Sequence, residues 1–300
     1  MLEPRSGTAV GGHSKIGRAS IAAALSLLSL SSVTHATSYE ARLDVAEWKI
    51  EPSPMECKLW QAVPNYGEAV FSIRSGEKLE FYLKSMQPVY RSGKAQLAIT
   101  APAWHDGVKP VMVGATDVVP GTKPVVVGEG IAQRFLAELQ AGMFPSIQMP
   151  GAYNPHEVQI DVSAVNFGSA YQGYLNCLSA LFPANFDQLK ASMLHFNTDL
   201  WKIEGTTKER LDLLVGYIGL DPTVKKVIID GHTDTVGRRG YNWELSRLRA
   251  NAVREYLIGK GLAADMVMMR YWGETRPALK KGNNKNVAVN RRVLVQLVKS

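Results

Sequence analysis

The 300-residue chain reads as an α+β protein, a β-rich N-terminal half followed by an α/β sandwich built on one sheet. Three observations lead there. Between residues 40 and 165, short alternating or β-branched runs are broken by Pro and Gly at close intervals. Around Pro183 the pattern changes to strands alternating with long helical stretches. Hydrophobic residues make up 46% of the chain and charged residues 20%, enough apolar surface for a real core. The length suggests about two domains, drawn at 37–182 and 183–300 behind a leader at 1–36.

The leader is read from charge and length. Arg5, Lys15 and Arg18 form a basic start, Ile21 to Val33 an apolar run, and Thr34-His35-Ala36 a small-residue cleavage pattern. The apolar run is shorter than the roughly 20 residues that span a bilayer, so removal after Ala36 is expected. No cysteine follows that position, which gives a lipid anchor no support. Export favours pairing the only two cysteines, Cys57 and Cys177, against the alternative of two separate buried thiols.

In the N-terminal half, Phe71-Ser72-Ile73-Arg74, then Ser75-Gly76, then Lys78 to Lys84 predict a β-hairpin across a glycine-containing turn. Further strands are expected at Gln96–Thr100, Val111–Val113, Val125–Val127 and Val158–Val162. A helix from Ile131 to Gln140 places Ile131, Phe135, Leu136 and Leu139 on one face, with Gly142 suited to end it. A second helix, Ala170 to Leu181, carries Cys177. Trp48, Trp60 and Trp104 fit either core or interface positions.

The C-terminal half predicts strand Gln188–Phe196, helix Thr206–Gly219, strand Lys225–Asp230, helix Trp243–Gly259, strand Val267–Trp272 and strand Arg292–Val298. Asn242 is placed as the N-cap of the second helix. Leu245, Leu248, Ala252, Val253 and Tyr256 form its core stripe, with Arg249 at the edge. Met266, Met268 and Met269 read as strand core. Lys280, Lys281 and Lys285 around Gly282-Asn283-Asn284 read as a solvated face.

Charge is uneven. From His195 to Ser300 there are 19 Lys and Arg against 11 Asp and Glu, so this half is basic while the exported N-terminal half is slightly acidic. A basic module suggests an anionic partner. An exported chain without a basic-aromatic stripe makes nucleic acid a poor one, and a carboxylate-bearing wall polymer a better one. Asp234 follows a strand and a glycine, at a sheet end where clefts form. Arg249 lies on the next helix, and Arg291 precedes the last strand. Arginine binds carboxylate with a rigid fork and aspartate accepts from ammonium, so the set suits an α-amino-acid head group. On spacing alone, a structural Asp234–Arg249 salt bridge is the plainer reading.

Gly231-His232-Thr233-Asp234, Asn242, Leu245-Ser246, Arg249-Ala250, Val253, Leu257, Gly261, Gly273-Glu274, Pro277 and Asn290-Arg291-Arg292-Val293 together resemble the OmpA-like peptidoglycan-binding domain, over roughly 186–300. The resemblance implies a βαβαββ fold, no enzymatic activity, no cofactor, and noncovalent binding of diaminopimelate in wall stem peptides. It places the family's binding residues on Asp234, Arg249, Asn242 and Arg291, and a polar contact on Asp199, where many members carry a small neutral or amide residue. Glu56-Cys57, Val63-Pro64, Gly67, Trp104, Leu136 to Gly142, Val165, Phe167 and Tyr174 to Cys177 resemble, in their order, the MotY family of flagellar-motor proteins. That implies a periplasmic component associated with the basal body, cell wall and outer membrane. Its implied partners are peptidoglycan, the basal-body ring, stator proteins of the MotA/MotB or PomA/PomB type, and MotX. The family also pairs its two cysteines.

Asp230-Gly231-His232-Thr233-Asp234 also resembles the first metal motif of M20-type zinc peptidases. No His or Cys follows His232 and no Glu-Glu pair occurs, so the three or four ligands that zinc needs are missing. His232 is therefore read as a packed, hydrogen-bonded histidine. An OmpA-type porin requires longer lipid-facing strands than 40–165 offers. A MotB-type stator requires a membrane helix. The remaining alternative is another periplasmic OmpA-like wall-binding protein that maintains envelope integrity.

Overall fold

A computed structural model describes residues 37–105, 107–151, 157–279 and 288–300. The leader and the Lys280–Lys285 loop lie outside the described residues. Two five-stranded sheets build the N-terminal half. The first runs in the order β2 (Trp48–Pro52), β3 (Glu56–Val63), β4 (Gly67–Arg74), β5 (Glu80–Ser85), β8 (Val125–Val127). The second runs β1 (Thr37–Glu40), β10 (Glu157–Asp161), β9 (Phe144–Pro150), β6 (Gly93–Thr100), β7 (Val111–Val118). The expected hairpin is β4–β5, with Phe71 opposite Phe81 and Ser72 opposite Glu80. In β3 the alternation buries Cys57, Leu59, Gln61 and Val63, as a half-buried strand should. Strand β9 had no sequence signal, because Pro145 and Pro150 read as breakers; they stand at its ends, where fewer ladder bonds are lost.

Helices α1 (Glu129–Gln140) and α2 (Phe167–Ala180) pack on these sheets. Helix α1 ends as expected. Gly142 takes φ +81°, and Met143 N–H closes on Glu138 O at 2.9 Å, a left-handed termination that glycine permits at little cost. Both sheets share one core, in which Phe81 packs on Phe71 and Phe135 at centroid distances of 4.9 and 5.2 Å. The disulfide Cys57–Cys177 ties β3 to α2 across 120 residues. Of the three tryptophans, Trp48 is core and donates to Ser163 O at 2.9 Å, Trp60 is half-buried, and Trp104 is exposed against Phe144.

The C-terminal half has its own core. It comprises α3 (Phe186–Leu189), β11 (Ala191–His195), α4 (Gly205–Leu220), β12 (Val224–Gly231), α5 (Arg239–Gly259), β13 (Val267–Tyr271) and β14 (Arg292–Lys299). The sheet order is β11-β14-β12-β13, with β13 parallel to β12 and the other pairs antiparallel. The strand expected from Gln188 starts only at Ala191. Asn185 and Gln188 form a capping box instead and wind residues 186–189 into a short helix. The same two side chains donate to Gly76 O. The tip of the β4–β5 hairpin thus rests on the start of the second half.

Helix α5 departs from expectation in phase. It starts four residues earlier than predicted, so Asn242 is not the N-cap; it is buried within the first turns. The buried face carries Asn242, Leu245, Ser246, Arg249, Ala250, Val253 and Leu257. Arg249 therefore lies inside the core stripe, while Leu248, Ala252 and Tyr256 flank it. The cause is Gly231: a Cβ there would stand 2.2 Å from Ser246 O, so the glycine lets α5 press this face directly on β12. Only Met269 of the three methionines packs against the core. Met268 is 44% exposed on edge strand β13, and Met266 is half-buried in the single turn before it.

Candidate functional site

Strand β12 ends at Gly231, and the next residues stay tied to the sheet. His232 N–H donates to Arg292 O and Thr233 N–H to Gly273 O, both at 2.9 Å. That pins the start of the loop that carries Asp234. Asp234 is 6% exposed, and its two oxygens are both engaged: Oδ1 accepts from Val236 N–H at 3.1 Å, and Oδ2 from Arg291 Nη1 at 3.0 Å. The ion partner of Asp234 is thus Arg291, whose side chain is 15% exposed, and not Arg249 as the spacing suggested.

Arg249 is wholly buried. Its guanidinium holds three backbone carbonyls: Leu200 O from Nε at 2.8 Å, Asn197 O from Nη2 at 2.9 Å, and His232 O from Nη1 at 3.2 Å. It also stands over the Phe196 ring at 5.5 Å. One side chain from α5 therefore clamps the loop after β11 to the loop after β12. Burial pulls its pKa down to about 10, while the nearby Asp234 acts the other way.

Asp199 is exposed, at a backbone φ of +56°, and accepts from Tyr241 Oη at 3.2 Å. It acts on Arg249 electrostatically, together with Asp234 and Arg291. Two acids and two arginines thus meet at one end of the sheet, a balanced set suited to a zwitterion. Asn242 stands elsewhere in role. Its amide donates to Glu274 Oε2 at 2.7 Å and ties α5 to the turn after β13. Sequence reasoning missed Glu274 and Tyr241 as partners, and missed Ser246, which accepts from Gly273 N–H and donates to Trp243 O. The Gly273-Glu274 pair in the motif was the available signal for the first.

His232 is packed, 4% exposed, but its Nδ1 has no hydrogen-bond partner. Burial, and then Arg292, push its pKa down to about 4. Among the described residues no group of three or more His, Cys, Asp or Glu could hold a metal ion. Beside the acid–arginine set a cleft of about 590 Å³ opens between Phe196, Asn197, Lys202, Thr206 and Arg291, room for more of a ligand than its head group.

Residues 39–183 match the MotY N-terminal domain, and residues 195–291 match the OmpA family. A curated relative, the sodium-type flagellar protein MotY of Vibrio parahaemolyticus, is 26% identical over 91% of this chain and 94% of its own length. The peptidoglycan-associated lipoprotein of Pasteurella multocida is 32% identical over 36% of this chain and 71% of its own. The solved structure of the peptidoglycan-associated lipoprotein from Burkholderia pseudomallei is 24% identical, with a TM-score of 0.33, and covers 35% of this chain and 89% of its own.

Proposed function

The chain belongs to the OmpA family and carries a MotY N-terminal domain ahead of that module, and from this premise we propose that it is a non-enzymatic flagellar-motor component of the periplasm. Its C-terminal half grips peptidoglycan, and its N-terminal half supports stator assembly around the basal body. What carries the reading is one combination: a largely buried Asp234–Arg291 pair at the sheet end backed by buried Arg249, in a chain that also has the MotY N-terminal domain.

The ligand is the amino-acid end of diaminopimelate. Its ammonium displaces Arg291 from Asp234, and its carboxylate takes the released guanidinium. The exchange keeps every charge paired, so the desolvation cost of the buried acid is not added again. Arg249 stands behind as a fixed positive charge and holds the 197–200 loop that forms one wall. Each charge-assisted contact contributes about 1.5 to 3 kcal/mol. Asp199, at the rim, adds a second acceptor for the ammonium.

The test is a pull-down with purified wall. Asp234→Asn and Arg291→Ala are expected to lose wall binding while keeping the folded chain, and no soluble fragment should be released from the wall. Undiminished pull-down by both variants overturns the clasp. For the motor role, deletion of the gene should leave flagella in place and stop or weaken rotation; normal swimming overturns it.

A further inference from the structure

The loop after β11 has a second side. Leu200 and Lys202 line the cleft beside Arg291, and the same two residues, with Trp201, Ile203 and Ala252 of α5, line a separate cavity of about 460 Å³. Leu200 is 47% exposed and Trp201 46%. Large apolar side chains left side by side in water mark a surface that something covers. The stretch that carries them is pinned on both sides of Trp201. Leu200 O accepts from Arg249 Nε at 2.8 Å, and Ile203 packs against the C-terminal core. The indole is therefore presented by a fixed backbone, which loses little freedom when a ligand covers the ring.

The indole N–H of Trp201 has no hydrogen-bond partner among the described residues. Lys202, beside it, pairs with exposed Glu204 at 2.5 Å. The occupant thus needs an apolar face and a polar edge. An apolar protein side chain would strip water from the N–H and give no acceptor in return. A pyranose ring meets both needs: its C–H hydrogens lie on the electron-rich indole face, and its hydroxyls accept from the N–H and from Lys202. Connectivity points the same way. In peptidoglycan each stem peptide is covalently joined to an amino sugar, and two or three extended residues span roughly 7 to 11 Å. Leu200 touches the Arg249 guanidinium and Trp201 is the next residue, so a stem held at Asp234 and Arg291 brings its sugar within reach. A contact too weak to form alone then gains from the effective concentration of the tether. We propose, resting on the wall-binding reading above, that this cavity is a sugar subsite: a ring of the wall glycan stacks on Trp201 while its stem peptide is held in the clasp.

Calorimetry on the whole chain compares two probes, a diaminopimelate-containing stem peptide without sugar and the same stem carried on its N-acetylglucosamine–N-acetylmuramic acid disaccharide. The parent should bind the sugar-bearing probe about tenfold more tightly, the size of one aromatic stacking contact. Trp201→Ala should remove that preference and leave affinity for the bare stem within about twofold, which also shows the clasp still folded. Trp201→Phe, which keeps a ring, should retain part of the preference. Asp234→Asn should lose both probes. If neither probe binds the parent, the clasp is wrong and the sugar subsite falls with it. If the parent binds both equally, or Trp201→Ala keeps the full preference, the clasp stands and the sugar subsite is overturned, leaving the cavity to a protein side chain.

Discussion

Arg249→Ala separates a ligand contact from a structural clamp. The side chain is fully buried and satisfies three carbonyls, at 2.8, 2.9 and 3.2 Å. Hydrogen bonds from a charged donor contribute about 1.5 to 3 kcal/mol each. Against them stands the cost of burying the charge, visible in the fall of its pKa to about 10, which corresponds to about 3 kcal/mol. The net from polar terms is then about 1.5 to 6 kcal/mol. The emptied volume beneath Phe196 adds about 1 kcal/mol or more. Arg249→Ala should therefore destabilise the C-terminal half by about 2.5 to 7 kcal/mol. Arg249→Met, which keeps much of the volume, should recover only the cavity share. Arg291→Ala, which leaves the largely buried Asp234 carboxylate without its ion partner, should cost about 3 kcal/mol. Urea unfolding followed by tryptophan fluorescence reads all three, since Trp201 adjoins the clamped Leu200. If Arg249→Ala unfolds within 1 kcal/mol of the parent, the clamp is wrong, and Arg249 acts on ligand alone.

Other perturbations test other links. His232 takes a proton near pH 6.5 when unfolded and near 4 when folded; the unfolded state thus binds more protons between these values. Stability should be full above pH 6.5 and fall by about 3 kcal/mol toward pH 4, a component that His232→Gln removes from the pH dependence of urea unfolding. Reduction of Cys57–Cys177 opens a 120-residue separation and should lower the stability of the N-terminal half by up to about 4 to 5 kcal/mol, leaving the C-terminal transition unmoved in calorimetry. Gly231→Ala places a methyl 2.2 Å from Ser246 O and should cost about 2 to 3 kcal/mol by forcing α5 off β12; an unchanged melting temperature would contradict that packing.

Much of this architecture is legible along the chain. The β4–β5 hairpin follows from alternation across Ser75-Gly76, and the end of α1 from Gly142. The alternation of strand and helix after residue 190 follows from period alone. Each is a local effect, encoded within a few residues. Strand β9 was not legible, because its two prolines are tolerable only through their places at the strand ends. The short helix α3 was hidden by a capping box that reads as ordinary polar residues until Gly76 supplies its partner.

The acid and the arginines were also visible in the sequence: Asp234 after a strand and glycine, Arg249 on a helix, Arg291 before a strand. Residue type and spacing determined which charges the site would contain. Which charge meets which was decided in three dimensions. A one-residue rotation of α5, allowed by the missing side chain at Gly231, carried Arg249 from the edge of its stripe into the core and set it on three carbonyls. Arg291 was left to pair with Asp234. Periodicity constrains the face of a helix to within about one position, and for a long, forked side chain one position separates the surface from the interior.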